Sequence, residues 1–377
     1  MAKVLIANLG AELYGADRMA WETATGLRGA GHDVTVVLPG PGPLADLLTD
    51  AGIPVRTAPT AIVRKSALRP RGLLGLVRDA VGSVRPGLRL LADVRPDVLV
   101  VNSIVAPLWL ALGRLRGVRV VCHVHEGETG LARPLAVLLH LPLHLAHHLV
   151  VNSRFSLDVV AAAAPALRRR STVVYNAVAG PPAPTPPRPH PEPLRLLYVG
   201  RLSPRKGPDV AVAALRVLRD RGLDARLTLL GSVFTGYEWF EQQLRETVAT
   251  SGLADRVQLA GFRSDRWPDT AEADVVLVPS VADEPFGNVA VEAALAARPQ
   301  VVTDTGGLPE AVEGLTACVR VPPGDPEALA AAVVRIRDDW TRFAAAAERE
   351  AAPTAERFSP ARYAAELDAV VRAQLGG

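Results

Sequence analysis

Three cations follow a short apolar run in the segment YVGRLSPRKGPDV, residues 198–210. Arg201, Arg205 and Lys206 lie in a predicted loop between a strand and a helix. Arginine holds two phosphoryl oxygens as a planar fork and lysine acts as a compact point charge, so the set suits a diphosphate leaving group. A solvated basic loop is the alternative. The chain uses lysine at three positions only, Lys3, Lys65 and Lys206, and this scarcity favours a specific use of the last one.

A second segment, DEPFGNVAVEAALA (283–296), follows the apolar run DVVLVPS and opens a predicted helix around Phe286, Gly287 and Asn288. A helix start behind a strand presents free amides and the positive end of the helix dipole. This second segment therefore also suits a phosphate group.

Glu284 and Glu292 in this segment are eight residues apart. At ~1.5 Å per helical residue, the separation is of the order of 10 Å along the axis. That is too long for the carboxylate pair of a retaining glycosidase, which is roughly 5 Å, but it matches the distance between the two sugars of a nucleotide diphosphate sugar. We expect Glu284 to bind the transferred sugar and Glu292 the ribose; a capping residue and a solvated helix residue are the alternatives.

The elements that position these residues are predicted from the apolar pattern. In the first half, short β-rich runs alternate with helical patterns, which is typical of parallel strands buried on both faces. The runs are VLIAN (4–8), VTVVL (34–38), VLVVN (98–102), VRVVCHV (118–124) and HLVVN (148–152). The alternation restarts at residue 194 with LRLLYVG, so the sequence predicts two doubly wound α/β domains.

Between the two α/β patterns, residues 180–193 hold eight prolines in fourteen positions, which excludes a helix or a central strand. We predict an N-terminal domain over 1–179, a linker over 180–193 and a C-terminal domain over 194–358. Residues 359–377 are predicted to form a helix that packs back on the N-terminal domain.

The composition is that of a packed globular protein, with 49% hydrophobic and 21% charged residues and a net charge of +3. Cys122 and Cys318 lack any ligand spacing, which argues against a zinc site or a disulfide framework. Met1 to Asn8 is typical of a first strand and not of a leader, so we predict a cytoplasmic protein. Few aromatic residues accompany the scattered basic ones, which argues against nucleic-acid binding.

Three motifs in the C-terminal half together resemble those of the retaining GT-B glycosyltransferases of family 4. They are Gly200, Arg201 and Leu202 with Lys206 and Gly207; Glu284 with Glu292; and Gly306, Gly307, Leu308, Pro309 and Glu310. The order and the spacing agree with the family. The resemblance implies a GT-B fold, in which two Rossmann-like domains face a central cleft, and transfer of a hexose-type sugar from a nucleotide diphosphate donor to a hydroxyl acceptor.

The resemblance also implies the donor-binding set. Arg201 and Lys206 would stabilise the leaving diphosphate, and Glu284 and Glu292 would bind the two sugars. The start of the helix, at Phe286, Gly287, Asn288 and Val289, would supply amides.

In the N-terminal domain the family has a glycine-rich turn, of which this chain keeps Gly15 within Tyr14 to Arg18. The family also has a histidine at the end of the fifth strand, here within CHVHEGE (122–128). The position in the motif favours His125, which Glu126 follows, as the family's histidine. Residues two apart in a strand face the same side, so His123 stays an alternative.

The family retains the anomeric configuration, so we expect a front-face substitution in which the departing phosphate helps to deprotonate the acceptor. No Asp-x-Asp motif occurs, and we expect neither a metal nor another cofactor. The nucleotide is open among uridine, guanosine and adenosine. The alternatives are a nucleotide-sugar epimerase, a sugar phosphorylase, and a non-catalytic nucleotide-sugar-binding protein.

Residues 62–95 are rich in arginine, and the segment suits either a solvated helix face or peripheral contact with an anionic membrane at the inner face. Its basic residues are Arg64, Lys65, Arg69, Arg71, Arg78, Arg85, Arg89 and Arg95. Glycan, lipid-linked and small-molecule acceptors are all compatible with this pattern. The sequence gives no indication of an oligomeric state.

Overall fold

The computed structural model describes residues 1–13, 15–63, 70–127, 129–234 and 236–376. The chain divides into two compact units. The first, unit 1, comprises Met1–Ala177 with Ser359–Gly377, and the second, unit 2, comprises Val178–Phe358.

Unit 1 is built on a parallel sheet of seven strands in the order β3-β2-β1-β4-β5-β6-β7. The strands are β1 Lys3–Ala7, β2 Asp33–Leu38, β3 Val55–Thr57, β4 Val98–Val101, β5 Arg119–Val124, β6 His148–Val151 and β7 Ser171–Val173. The helices are α1 Gly15–Gly29, α2 Pro43–Asp50, α3 Pro70–Val94, α4 Pro107–Leu115, α5 Arg133–His140, α6 Arg154–Ala163 and α14 Pro360–Leu375. Two apolar clusters cover the two faces of the sheet.

Unit 2 repeats this plan with a parallel sheet of six strands in the order β10-β9-β8-β11-β12-β13. The strands are β8 Leu194–Val199, β9 Ala225–Leu230, β10 Val257–Gly261, β11 Val275–Val278, β12 Gln300–Thr303 and β13 Cys318–Val321. The helices are α7 Pro208–Asp220, α8 Glu238–Thr250, α9 Trp267–Glu272, α10 Asn288–Leu295, α11 Leu308–Ala311, α12 Pro326–Asp338 and α13 Trp340–Arg357.

The predicted fold class of two doubly wound α/β units is confirmed. The chain reverses direction across each sheet, between β1 and β4 in unit 1 and between β8 and β11 in unit 2. Ligands of open parallel sheets bind beyond the carboxyl ends of the strands at such a reversal. Each unit therefore has one edge where a site is expected.

The proline-rich segment belongs to unit 2 in the structure. Residues 180–193, all of them described, form neither helix nor strand. The Arg188 side chain donates to both carboxylate oxygens of Asp274, at 2.9 and 2.5 Å, and the Trp340 indole donates to the Arg188 carbonyl at 2.8 Å. Arg188 thus ties the segment to unit 2.

The C-terminal helix α14 packs on α1 within unit 1. The Thr23 and Tyr363 hydroxyls share a hydrogen bond of 2.6 Å, and His32 Nε2 lies 2.6 Å from the Asp368 carboxylate. The chain therefore returns to its first unit after completing the second.

Both cysteines are free thiols. Burial raises the pKa of Cys122 well above its usual value and that of Cys318 to about 12. Among the helices of the described residues, none has both the length and the apolar character that crossing a membrane requires.

Candidate functional site

The cationic loop and the glutamate segment of unit 2 meet at the carboxyl edge of its sheet. β8 leads into Arg201 to Lys206, and its neighbour β11 leads into Glu284. Because parallel neighbours end at the same edge, the two loops emerge side by side at the chain reversal. The strand order thus brings together two motifs that are 78 residues apart in sequence, from Lys206 to Glu284.

Lys206 Nζ forms an ion pair with Glu284 Oε1. The Lys206 side chain is 32% exposed and that of Glu284 is 13% exposed. Two further hydrogen bonds join the loops. The Val281 amide donates to the Arg205 carbonyl at 2.8 Å, and the Arg205 guanidinium donates to the Asp283 carbonyl at 3.0 Å. The predicted phosphate-binding lysine and the predicted sugar-binding glutamate therefore occupy one spot.

Arg201 is positioned by an aromatic side chain and a buried phenol. Its guanidinium carbon lies 3.8 Å from the centre of the Phe234 ring, a cation–π contact. The Tyr198 hydroxyl donates to the Arg201 carbonyl at 2.6 Å. Burial, with the nearby charges of Glu284 and Asp209, raises the pKa of Tyr198 well above its usual range, so the phenol stays a donor. This contact fixes the path of the chain where it leaves β8.

Helix α10 begins at Asn288 behind Gly287, as the sequence predicts. Gly287 has φ of 115°, a conformation open to glycine. The Phe286 side chain is 2% exposed and packs edge-on against Phe358 at 5.5 Å between ring centroids. The Phe286 ring therefore belongs to the core, whereas Asn288 and Val289 are partly exposed.

The Gly306–Gly307 turn supports Glu284 from the other side. The Gly307 amide donates to the Glu284 carbonyl at 2.6 Å. Gly306 has φ of +59°, and a Cβ placed on it would lie 2.2 Å from the same carbonyl oxygen. The two glycines of the third motif are thus explained by the close approach of their backbone to that of Glu284 and Pro285.

Glu292 lies on α10 and has a cationic partner of its own. The Arg266 guanidinium contacts Glu292 Oε1 at 2.6 Å, and both side chains are nearly buried, at 14% and 11% exposed. Each of the two glutamates is therefore held by a different cation in the structure. Sequence reasoning missed Arg266, which follows β10 and lies 26 residues before its partner.

In unit 1, a chain of polar side chains joins the ends of three strands at the corresponding edge. Asn102 Nδ2 donates to Asn8 Oδ1 at 2.7 Å, and Asn8 Nδ2 donates to Asp17 at 2.8 Å. His125 Nε2 lies 2.7 Å from Asn102 Oδ1. The asparagines follow β1 and β4, and the histidine follows β5. The sequence signal for this network was the asparagine that ends both VLIAN and VLVVN.

Backbone carbonyls fix the orientation of this network. Asn8 Nδ2 also donates to the Gly10 carbonyl at 2.9 Å, and Asn102 Nδ2 to the Ala16 carbonyl at 3.0 Å. Asn102 Oδ1 is consequently an acceptor, so His125 donates through Nε2–H and its Nδ1 is the acceptor nitrogen of the neutral ring. Burial lowers the pKa of His125 to about 4, and the ring is neutral at physiological pH.

The structure gives His123 and His125 different environments. His123 lies inside β5, is fully buried, and has no hydrogen-bond partner for either ring nitrogen among the described residues. Burial, together with His125, lowers the pKa of His123 well below its usual value. His125 lies just beyond the strand and is partly exposed. The two rings are 4.0 Å apart between centroids, so His123 packs behind His125.

Glu126 organises the loop that follows β4. Its carboxylate accepts from the Ser103 hydroxyl, from the His125 amide at 3.0 Å and from the Ile104 amide at 3.4 Å. Burial raises the pKa of Glu126, and these hydrogen bonds oppose the shift. Glu126 therefore fixes the backbone at His125 and at Ile104.

Some predicted residues lie apart from these sites or outside the described residues. Gly15 is the first residue of α1, close to the Asn102 network, while Tyr14 before it lies outside the described residues. Of the basic segment 62–95, residues 64–69 lie outside them as well. Residues 70–94 form helix α3, which exposes an apolar stripe. The stripe is Leu73, Leu74, Val77 and Val81, at 52, 71, 53 and 70% exposed.

Two family models match the chain, one in each half. Residues 14–179 match Glycosyltransferase Family 4, and residues 193–339 match Glycosyl transferases group 1. A glycogen synthase of Mycobacterium tuberculosis H37Rv is 31% identical over 376 residues, which cover 92% of this chain and 86% of that protein. The amylovoran biosynthesis glycosyltransferase AmsK of Erwinia amylovora is 36% identical over 154 residues, covering 38% of this chain and 36% of AmsK.

Solved structures show the same fold at low sequence identity. Anabaena Alr3699/HepE in complex with UDP and glucose matches with a TM-score of 0.81 and 21% identity, covering 100% of both chains. WaaG, a glycosyltransferase involved in lipopolysaccharide biosynthesis, matches with a TM-score of 0.71 and 17% identity, covering 97% of this chain and 99% of WaaG.

Proposed function

The chain belongs to the family 4 glycosyltransferases, with the GT-B fold, and from this premise we propose the reaction that it catalyses. It transfers a hexose-type sugar from a nucleotide diphosphate sugar to an acceptor hydroxyl with retention of anomeric configuration. The ion pair of Lys206 with Glu284 carries this proposal, because it joins the cation that we propose for the phosphate to the carboxylate that we propose for the sugar.

The diphosphate binds at the carboxyl edge of the unit 2 sheet. Arg201 and Lys206 contact its oxygens, and the first amides of α10, at Asn288 and Val289, add neutral donors. A diphosphate and Glu284 are both anions that pair with Lys206, so donor binding moves Lys206 from the carboxylate to the phosphate. The same step releases Glu284 to accept hydrogen bonds from the hydroxyls of the sugar.

The nucleoside lies on the Glu292 side of α10, where the carboxylate accepts from the ribose hydroxyls. UDP is the nucleotide we propose first, with GDP as the second choice, since the UDP complexes of Alr3699/HepE share the fold. The proposed binding of ribose by Glu292 does not depend on the base.

In the reaction, the bond between the anomeric carbon and the β-phosphate oxygen breaks while the acceptor oxygen bonds to the same face of that carbon. The acceptor proton passes to the departing phosphate oxygen. Arg201 and Lys206 stabilise the charge that builds on the diphosphate, which is the role that electrostatic preorganisation plays in such transfers. We propose that the neutral His125 of unit 1 accepts a hydrogen bond from a substrate hydroxyl through Nδ1.

The cations of this edge offset the diphosphate charge, and we propose that no divalent ion is required. We further propose that helix α3 contacts an anionic membrane, because its exposed apolar stripe is accompanied by four arginines against two aspartates. The arginines are Arg71, Arg78, Arg85 and Arg89, and the aspartates are Asp79 and Asp93. Such a surface combines apolar insertion with attraction to anionic headgroups.

The experiment is a thermal-shift panel of UDP, GDP, ADP and dTDP with their sugars, followed by product analysis in the presence of acceptors and EDTA. A bound nucleotide raises the apparent stability. The proposal is supported by sugar transfer in the presence of EDTA and by a product with the same anomeric configuration as the donor. The NMR coupling constant of the anomeric proton reports that configuration. Conversion of the donor without an acceptor, or loss of transfer that magnesium restores, contradicts it.

A further inference from the structure

Arg266 is placed where it can act on the nucleoside through another residue. It immediately precedes α9, in the loop that follows β10, and its guanidinium reaches α10 to contact Glu292 at 2.6 Å. This contact joins two elements on either side of the β8 and β9 strands in the sheet order. The pair therefore brings Arg266 into contact with the carboxylate that is proposed to bind the ribose.

The guanidinium packs on an aromatic ring, and hydrogen bonds fix the main chain of Arg266. Its carbon lies 4.8 Å from the centre of the Trp267 ring, and the Arg266 carbonyl accepts from the Thr270 amide at 3.0 Å and from its hydroxyl at 2.8 Å. Arg266 Nε is buried and has no hydrogen-bond partner among the described residues. A buried donor in this state is satisfied when an additional acceptor enters the site.

Glu292 gains two properties from this neighbour. A carboxylate that is 11% exposed is poorly solvated, and an adjacent guanidinium offsets the cost of burying its charge. Contact at Oε1 also fixes the plane of the carboxylate, so that it presents an acceptor in a defined direction. Both properties matter for accepting hydrogen bonds from the 2′- and 3′-hydroxyls of a ribose, because an ionised carboxylate accepts more strongly than a neutral carboxyl.

We infer that Arg266 is a positioning residue for nucleoside recognition, which keeps Glu292 charged and oriented so that the enzyme distinguishes ribonucleotides from 2′-deoxyribonucleotides. This inference rests on the proposed binding of ribose by Glu292. It goes further by assigning the discrimination to a second residue, on a different loop, through a contact that involves no ligand.

The test compares the dissociation constants of UDP, GDP and ADP with those of their 2′-deoxy counterparts by calorimetry. The wild type is expected to prefer the ribonucleotide about 10-fold, the effect of one hydrogen bond to a charged acceptor. Arg266→Met is expected to bring the ratio of the two dissociation constants, 2′-deoxyribonucleotide to ribonucleotide, to within about twofold of unity. Arg266→Lys keeps the charge and is expected to restore most of the preference.

A matched control comes from the same loop. Arg263 pairs with Asp269 at 2.8 Å and does not pair with Glu292 in the structure, so Arg263→Met is expected to leave the ratio as in the wild type. Circular dichroism confirms that each variant is folded. If Arg266→Met does not fold, Arg266→Lys and Arg266→Gln serve for the same comparison.

The outcomes separate this inference from the proposed function. A folded Arg266→Met or Arg266→Gln that keeps the ratio, while Glu292→Ala loses it, overturns the role of Arg266 and leaves ribose binding by Glu292 intact. A ratio in Arg266→Lys as low as in Arg266→Met also overturns it, because the role is assigned to the charge. A wild type that binds none of the three nucleotides, or shows no preference, overturns both.

Discussion

Lys206 and Glu284, which follow neighbouring strands β8 and β11, are joined as an ion pair at the carboxyl edge of the unit 2 sheet. Both ends of the pair are functional groups of the proposed reaction, and neither can serve the donor fully while bound to the other. If the proposed roles are correct, donor binding must break this contact.

The first prediction concerns competition for Lys206. Glu284→Gln removes the anion that competes with diphosphate, so UDP is expected to bind several-fold more tightly, while sugar transfer falls by two orders of magnitude or more because the sugar is no longer held in place. Calorimetry with UDP and turnover with the matching UDP-sugar measure the two effects. An increase in UDP affinity together with a decrease in turnover is the distinguishing result.

A control for that variant removes a similar charge elsewhere in unit 2. Glu327 pairs with Arg221 at 2.7 Å on the exposed start of α12. Glu327→Gln is expected to change neither UDP affinity nor turnover. Weaker or unaltered UDP binding in Glu284→Gln would show that the carboxylate does not compete with the phosphate.

The second prediction concerns the turn that supports Glu284. Gly306→Ala introduces a Cβ 2.2 Å from the Glu284 carbonyl oxygen at a positive φ, whereas Gly314→Ala, at φ of +85°, meets no atom within 4 Å. Gly314→Ala is expected to cost about 1–2 kcal/mol from the backbone conformation alone. Gly306→Ala is expected to cost about 2 kcal/mol more in denaturant unfolding and to reduce turnover. Equal losses would contradict the close packing described here.

Much of this arrangement followed from the sequence, because apolar runs and glycine positions report local backbone structure. The runs LRLLYVG and DVVLVPS predicted the strands that the structure ends at Val199 and Val278, and the helix starts near Pro208 and around Phe286 to Asn288 were also predicted from their own residues. Parallel strands and a chain reversal then place both motifs at one edge. The short edge strands β3, β7 and β13 were missed, since three or four residues carry little pattern.

Partners that depend on loop geometry could not be predicted. Arg263 and Arg266 are three residues apart in one loop, and only the path of that loop decides that Arg266 meets Glu292. The hydrogen bond of Asn102 to Asn8 likewise depends on β1 and β4 being neighbours in the sheet. The sequence did not decide between His123 and His125. The structure does, because β5 ends at Val124, so that His123 lies inside the strand and His125 beyond it.

The third prediction concerns the protonation of His125, whose pKa burial lowers to about 4. Because this folded value is below the unfolded value of about 6.5, the histidine contributes fully to stability above pH 6.5. That contribution is lost as the pH falls from there towards 4. NMR of ring-labelled histidine, assigned with His125→Asn, is expected to show no titration of His125 near pH 6.5. A midpoint at that value would place the ring in solvent.

The fourth prediction concerns helix α3 and membranes. The protein is expected to sediment with vesicles that contain anionic lipid and to be released as the salt concentration rises. Leu74→Glu combined with Val81→Glu is expected to abolish sedimentation. Leu375→Glu, on an exposed residue of α14, is expected to leave it unchanged. Sedimentation that is unaffected by the double change would assign any membrane contact to another surface.

The most direct test of the account is a crystal structure of the protein with UDP. We predict that the β-phosphate oxygens lie ~3 Å from Lys206 Nζ, the Arg201 guanidinium and the first amides of α10, with Lys206 released from Glu284. A diphosphate bound elsewhere, or bound while the Lys206–Glu284 pair stays intact, would contradict the central claim that this pair marks the donor site.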